Sequence, residues 1–302
     1  MNRLLPLMQR EWLQHRFGWA LMVLIPLGLA LTLLTFGSID IGHETAERVG
    51  DKLPLMLAAM SMTITMLVMF VIAWFSSTII VSGLARRDHG DRSIEFWLSL
   101  PTSHSASFAA PLLVHLLIVP IAALLIGLAG GFLLSLVTVT RVLGFEAWLG
   151  LPWGQLFGAI SSMCLRFIAG LPLAELWLLP LTLLIMLLTA WFRRWGWVIL
   201  IVGVGLGSQL LERVFGQPLL SMVIKAQLTN AMHAFIASEK GLQMSGDNVG
   251  GALQNLPSFL VHDMGLALRA LASPLMLGGL LFSAGCFWLL LRWRQRGASV
   301  VG

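Results

Sequence analysis

The sequence predicts an all-α polytopic membrane protein, with six transmembrane helices, an N-terminal helix lying along the membrane interface, and a short charged cytoplasmic helix between spans two and three. Three observations carry that expectation. Hydrophobic residues make up 58% of the 302 and charged residues only 11%, with a mean hydropathy of +0.88, more apolar surface than a soluble core can absorb. The apolar residues run on in long segments without alternation. In lipid the backbone must then be satisfied within helices rather than in a barrel. The basic residues gather in short clusters at the ends of those segments, as the positive-inside rule requires of membrane topology. That placement accounts for the net charge of +5 and the pI near 10.2 without nucleic acid as a partner.

In the first sixteen residues Leu4, Met8 and Trp12 form an i, i+4 stripe, while Arg3, Arg10, Glu11 and Arg16 supply polar faces. This is the pattern of a helix in the headgroup region, with membrane lipid as its partner. No small-residue cleavage site precedes the first apolar run, so no removable signal peptide is expected. Span one follows over about 17–36, near the ~20 residues that cross the hydrocarbon core. Residues 38–52 are net acidic and read as an external loop. Span two covers about 53–84 and is uncharged. At 1.5 Å per residue it is roughly 48 Å long and overshoots a ~30 Å core. Span three covers about 107–139. Its glycines Gly127 and Gly131 suit close helix approach.

Residues 155–171 are moderately apolar but contain Arg166, and they are assigned to an external interfacial helix. Counting them as a span would turn Arg193, Arg194 and the Arg292, Arg294, Arg296 cluster outward, against the charge rule. Span four is about 172–192, Arg193 and Arg194 form a cytoplasmic turn, and span five is about 195–211, with Gly203, Gly205 and Gly207 marking a close-packed face. The external segment 212–273 includes an amphipathic stretch with Leu220, Ile224, Leu228, Met232 and Phe235 on one side. Span six is about 274–291. Both termini then lie inside, with eleven of the nineteen Lys and Arg in the short cytoplasmic segments. Cys164 and Cys286 fall in apolar sequence and read as buried hydrophobes, with no disulfide or metal site expected of them.

Between spans two and three lies a charged island, the dense core of residues 85–106. Arg86, Arg87, Asp88, Asp91, Arg92 and Glu95 balance their charges, so the segment is unlike a polybasic lipid anchor. Phe96, Trp97, Leu98 and Leu100 add an apolar patch, and Pro101, Thr102 and Ser103 end one helix and can cap the next. Aromatics rimmed by charge have the composition of a protein docking surface.

The run R-R-D-H-G-D-R-S-I-E-F-W-L-S-L-P-T-S, with the interfacial first helix and six spans, resembles the permease subunits of type 2 ABC transporters. The matching elements are Asp88, Gly90 and Asp91 at its opening and Leu100, Pro101, Thr102 and Ser103 at its close. The resemblance implies a bacterial inner-membrane permease, exporter-like, whose island is the coupling region that meets a separate ATPase subunit. It also implies pairing with a second permease subunit, identical or related. This chain contains no G-x-x-x-x-G-K-[ST] loop, so the expected cofactors, ATP and Mg, belong to the partner, and the chain itself is not expected to be an enzyme.

Other readings carry less weight. An intramembrane hydrolase would use Ser82, beside Gly83, as nucleophile and His115 as base, but the G-x-S-x-G context is absent. His43 and Glu44 open an H-E pair, yet Glu47 stands where a zinc-binding helix needs its second histidine. A secondary transporter would carry carboxylates at the bilayer midplane, and the spans hold almost none. A non-transporting scaffold is a further alternative. His115 and Glu175 are the ionisable groups inside apolar runs, candidates for a pathway; for His115 the structural reading, a neutral ring bonded to a neighbouring carbonyl, stands ahead, and for Glu175 a pairing with Arg166 is one option and snorkelling another.

Overall fold

The computed structural model describes residues 4–39, 41–42, 47, 49–90, 104–238 and 249–299, the side chains of 4, 86–90, 104–107 and 294–299 aside. Every regular element among them is helical. In chain order they are α1 (Leu4–Phe36), α2 (Leu53–Gly90), α3 (His104–Leu113), α4 (Val119–Leu143), α5 (Phe145–Leu149), α6 (Trp153–Phe192), α7 (Gly196–Phe215), α8 (Leu219–His233), α9 (Val249–Ala270) and α10 (Pro274–Ser299). A 3-10 turn, Gly50–Lys52, leads into α2; another, Arg193–Trp195, joins α6 to α7; and a π-helical turn, Val114–Ile118, joins α3 to α4.

Five stretches are long and apolar enough to cross a membrane: Leu5–Phe36, Gly50–Ala85, Phe108–Leu143, Trp153–Phe215 and Pro274–Trp293. The chain is therefore a membrane protein. The fourth stretch holds both α6 and α7. The apolar exterior agrees, since Phe17, Leu24, Phe75, Ile79, Ile201, Leu210, Leu277 and Leu281 all face outward, a distribution that lipid tolerates and water does not.

The helices differ from the sequence pattern in their boundaries. The expected interfacial helix and first span are one rod, α1, of 33 residues or roughly 50 Å. Nothing between Arg16 and Phe17 interrupts the hydrogen-bond ladder, and Glu11, expected on a polar face, is fully buried. Likewise 155–171 and the fourth span are a single 40-residue helix, α6, that runs through Pro172 and Pro180. Each proline removes one i→i−4 bond, and packing on both sides holds the helix together. Arg166 is buried rather than snorkelling. Chain reversal at α6 falls to Arg193, the one described non-glycine residue at positive φ, +58°.

Two close-packing expectations have opposite outcomes. A Cβ on Gly127 would lie 2.9 Å from Met66 Cα, and one on Gly131 would lie 2.8 Å from Met62 Cα, so these glycines set the approach of α4 to α2. Gly203 and Gly205, by contrast, have nothing within 4 Å, and Gly207 meets only the end of the Leu220 side chain. The face they form on α7 is open, because α7 has one buried residue, Gly196. Cys164 and Cys286 are free and buried, as expected.

The core divides along the length of the bundle. At one end Val81, Leu84 and Ala85 of α2 pack with Phe108 of α3, Leu183, Met186, Leu187 and Ala190 of α6, and Cys286 and Leu290 of α10. At the other, Leu55 and Met62 of α2 pack with Val139 of α4, Leu156 and Ile160 of α6, and Val249 and Leu256 of α9. The island, the Arg193–Arg194 turn and Arg292 thus share the first end. Arg141, which donates to the carbonyls of Leu34 and Gly37, belongs to the second.

Candidate functional site

The charged island connects α2 to α3 at the first end of the bundle. Of its residues, Arg86, Arg87, Asp88 and Gly90 belong to the last turns of α2. Asp91, Arg92, Glu95, Phe96, Trp97, Leu100 and Pro101 lie outside the described residues. What the structure provides is their setting. Ala85 is packed in the core, and the chain re-enters a helix at His104, so the island links the end of α2 to the start of α3.

His115 sits a short distance into the chain beyond the island, in the π-helical turn. Pro120, which has no N–H to give the Leu116 carbonyl and whose ring crowds that carbonyl, accounts for the widened turn, and Val119 N–H reaches back to the Val114 carbonyl instead. Such π turns recur at functional sites because they re-aim one side chain. Here that side chain is His115, fully buried, whose Nε2 lies 3.3 Å from Glu11 Oε2. Glu11 Oε1 accepts from Arg10 Nε at 3.2 Å. His15, one turn along α1 from Glu11, brings its Nε2 to 3.9 Å from the same Oε2. Trp19 stacks on His15 at 5.8 Å and meets His115 edge-on at 5.6 Å. Ala73, Val114 and Val119 close the pocket with Met8 and Met22.

Glu175 is buried in α6 and accepts a 2.6 Å hydrogen bond from Trp74 Nε1 of α2. Around them Phe70 meets Phe167 and Phe235 edge to face at 5.4 Å, and those two stack on each other at 5.3 Å. Arg166 is not its partner. The Arg166 guanidinium donates to Asp263 Oδ2 from Nη2 at 2.7 Å and from Nε at 3.1 Å, and Nη1 reaches the Ala234 carbonyl. Asp263 Oδ1 in turn accepts from the backbone N–H groups of Ala237 and Ser238 at 2.9 and 2.7 Å. This buried pair, 2% and 0% exposed, ties α9 and the end of α8 to α6. It has every hydrogen-bonding group engaged, as a buried ion pair requires.

Ser82, the other residue of the hydrolase reading, donates to the Ile79 carbonyl at 2.7 Å and accepts from Trp197 Nε1 at 3.2 Å. No hydrogen bond joins Ser82 to His115 among the described residues, and His115 faces Glu11 instead.

Two apolar clefts flank α7. One, about 620 Å³, lies among α6, α7, α8 and α10, with Gln227 as its polar pole; the other, about 590 Å³, lies among α2, α6, α7 and α8.

The sequence pattern singled out His115 and Glu175 and missed their partners. Glu11 looked like part of a polar face, although its i, i+4 spacing to His15 was a readable signal. Trp74 and Asp263 had none, since their contacts span 101 and 97 positions in the chain. No family model, no curated protein and no solved structure matches the chain.

Proposed function

We propose that this chain is the membrane-spanning permease subunit of a type 2 ABC transporter, an exporter of the bacterial inner membrane. Its six spans are α1, α2, α3 with α4, α6, α7 and α10, with both termini cytoplasmic. The charged island, 85–103, lies in the coupling region 85–106 and contains the helix against which a separate ATPase subunit docks. ATP and Mg act there, and a second permease subunit, identical or related, completes the pathway.

The observation that carries this reading is the island's composition together with its setting. Balanced charge and a Phe96–Trp97 patch sit between two long helices whose ends are packed together, so a push on the island is delivered along α2 and α4. The glycine contacts at Met62 and Met66 make those two helices a rigid pair, the property a lever needs. The basic clusters at the same end of the bundle support a cytoplasmic position for the island. The apolar clefts beside α7 fit an amphipathic or lipid-like cargo better than a charged one.

The test is reconstitution with the cognate ATPase. Asp91→Ala with Glu95→Ala, or Trp97→Ala alone, is expected to reduce co-purification of that subunit or to leave ATP hydrolysis running without transport. Wild-type coupling in both variants contradicts the proposal.

A further inference from the structure

We infer that Glu11, His15 and His115 form a binding site for one divalent transition-metal ion of the zinc type. The inference rests on the geometry of the first helix and the π-helical turn and is independent of the transport reading.

Three donors converge on a small volume, their ligand atoms all within 4.8 Å of one another. Glu11 Oε2 is the hub, 3.3 Å from His115 Nε2 and 3.9 Å from His15 Nε2. Ligands of a tetrahedral ion at 2.0–2.1 Å stand roughly 3.3 Å apart. The Glu11–His115 pair already has that separation, and rotation of the partly exposed His15 brings in the third. A cation between the three groups would use both imidazoles and the carboxylate at once.

The surroundings agree. Arg10 holds the other carboxylate oxygen at 3.1–3.2 Å, which fixes Glu11 as a one-oxygen donor and supplies the outer contact that metal-binding carboxylates require. His115 is fully buried, and among the described residues its Nε2 faces Glu11 Oε2. Trp19, Met8, Met22, Val114 and Val119 line the pocket, and its open side is at His15 and Arg10, 26% and 19% exposed. Two imidazoles and one carboxylate select zinc, cobalt or a neighbouring transition ion over calcium or magnesium, which demand more oxygen ligands. Since two donors stand on α1 and the third on the π-helical turn, a bound ion fastens the N-terminal helix to the helix that leaves the island.

The probe is cobalt(II), titrated into the chelator-stripped full-length protein in detergent and purified on a tag without histidine. The expected result is one cobalt per chain with the visible absorption of a tetrahedral site, bleached by stoichiometric zinc. Zinc should also raise the melting temperature of the wild type. Glu11→Gln and His115→Gln, each monodisperse by size-exclusion chromatography, should lose the band and the zinc-dependent rise, while the paired His233→Ala and His262→Ala changes should keep both. Absence of the band in the folded wild type overturns the inference. So does a band that persists unchanged in both Glu11→Gln and His115→Gln.

Discussion

Asp263 stands between the guanidinium of Arg166 and two backbone N–H groups. Asp263→Ala therefore strands a buried cation and two part-buried backbone donors together, and a loss of about 3–5 kcal/mol is expected. Thermal melts in detergent should place Arg166→Leu/Asp263→Leu closer to wild type than Asp263→Ala, since the double variant removes the uncompensated charge. Glu175 makes a gentler contrast. Glu175→Gln keeps an oxygen for Trp74 Nε1 and should melt near wild type, whereas Glu175→Leu leaves the indole N–H unsatisfied and should cost about 1–3 kcal/mol. Equal melting of the two variants would mean that the 2.6 Å bond contributes nothing. At this scale the sequence allowed the ionisable groups to be picked out, because a lone carboxylate or histidine in an apolar run is conspicuous. Their partners were not legible. Arg166 and Glu175 sit nine residues apart on one helix, on opposite faces, and each is satisfied by a different neighbouring helix.

Helices show the same division. Composition and the 3.6-residue period made the helical class plain, and the small-residue pair on α4 was legible as a contact because Gly127 and Gly131 are four apart on one face. Gly203, Gly205 and Gly207 carried a similar signal and have no partner backbone, since a glycine permits close approach without causing it. Gly131→Leu should separate α2 from α4 and lower stability by about 1–3 kcal/mol, while Gly203→Leu should be neutral; a melt that ranks them the other way contradicts the α2–α4 packing. Helix ends were the least legible feature. The continuity of α1 depends on the burial of Glu11 against His115, and that of α6 on packing that outweighs the loss of bonds at Pro172 and Pro180. Neither influence is local in sequence.

For the whole molecule, apolar residues spread over the exterior as lipid tolerates, and in the proposed six-span arrangement the end that carries the Arg193–Arg194 turn is cytoplasmic. Cysteine placed at Ser103 and at Ser245 should label from opposite sides with a membrane-impermeant reagent, Ser103 from the cytoplasm. Labelling from the same side is incompatible with six spans. The membrane class was readable from the sequence, because charge and hydropathy are sums over long segments, and five stretches of the structure are long and apolar enough to span. The clefts beside α7 were not readable, because they form only where α2 and α10 meet the consecutive helices α6, α7 and α8. Docking of an ATPase on the island is the central claim, and a photocrosslinking residue in place of Trp97, activated in native membranes, addresses it directly. The predicted result is a covalent adduct with a polypeptide that carries a nucleotide-binding G-x-x-x-x-G-K-[ST] loop, absent when the same residue replaces Ser245. An adduct of that polypeptide formed equally at Ser245, or no adduct at Trp97, contradicts the claim.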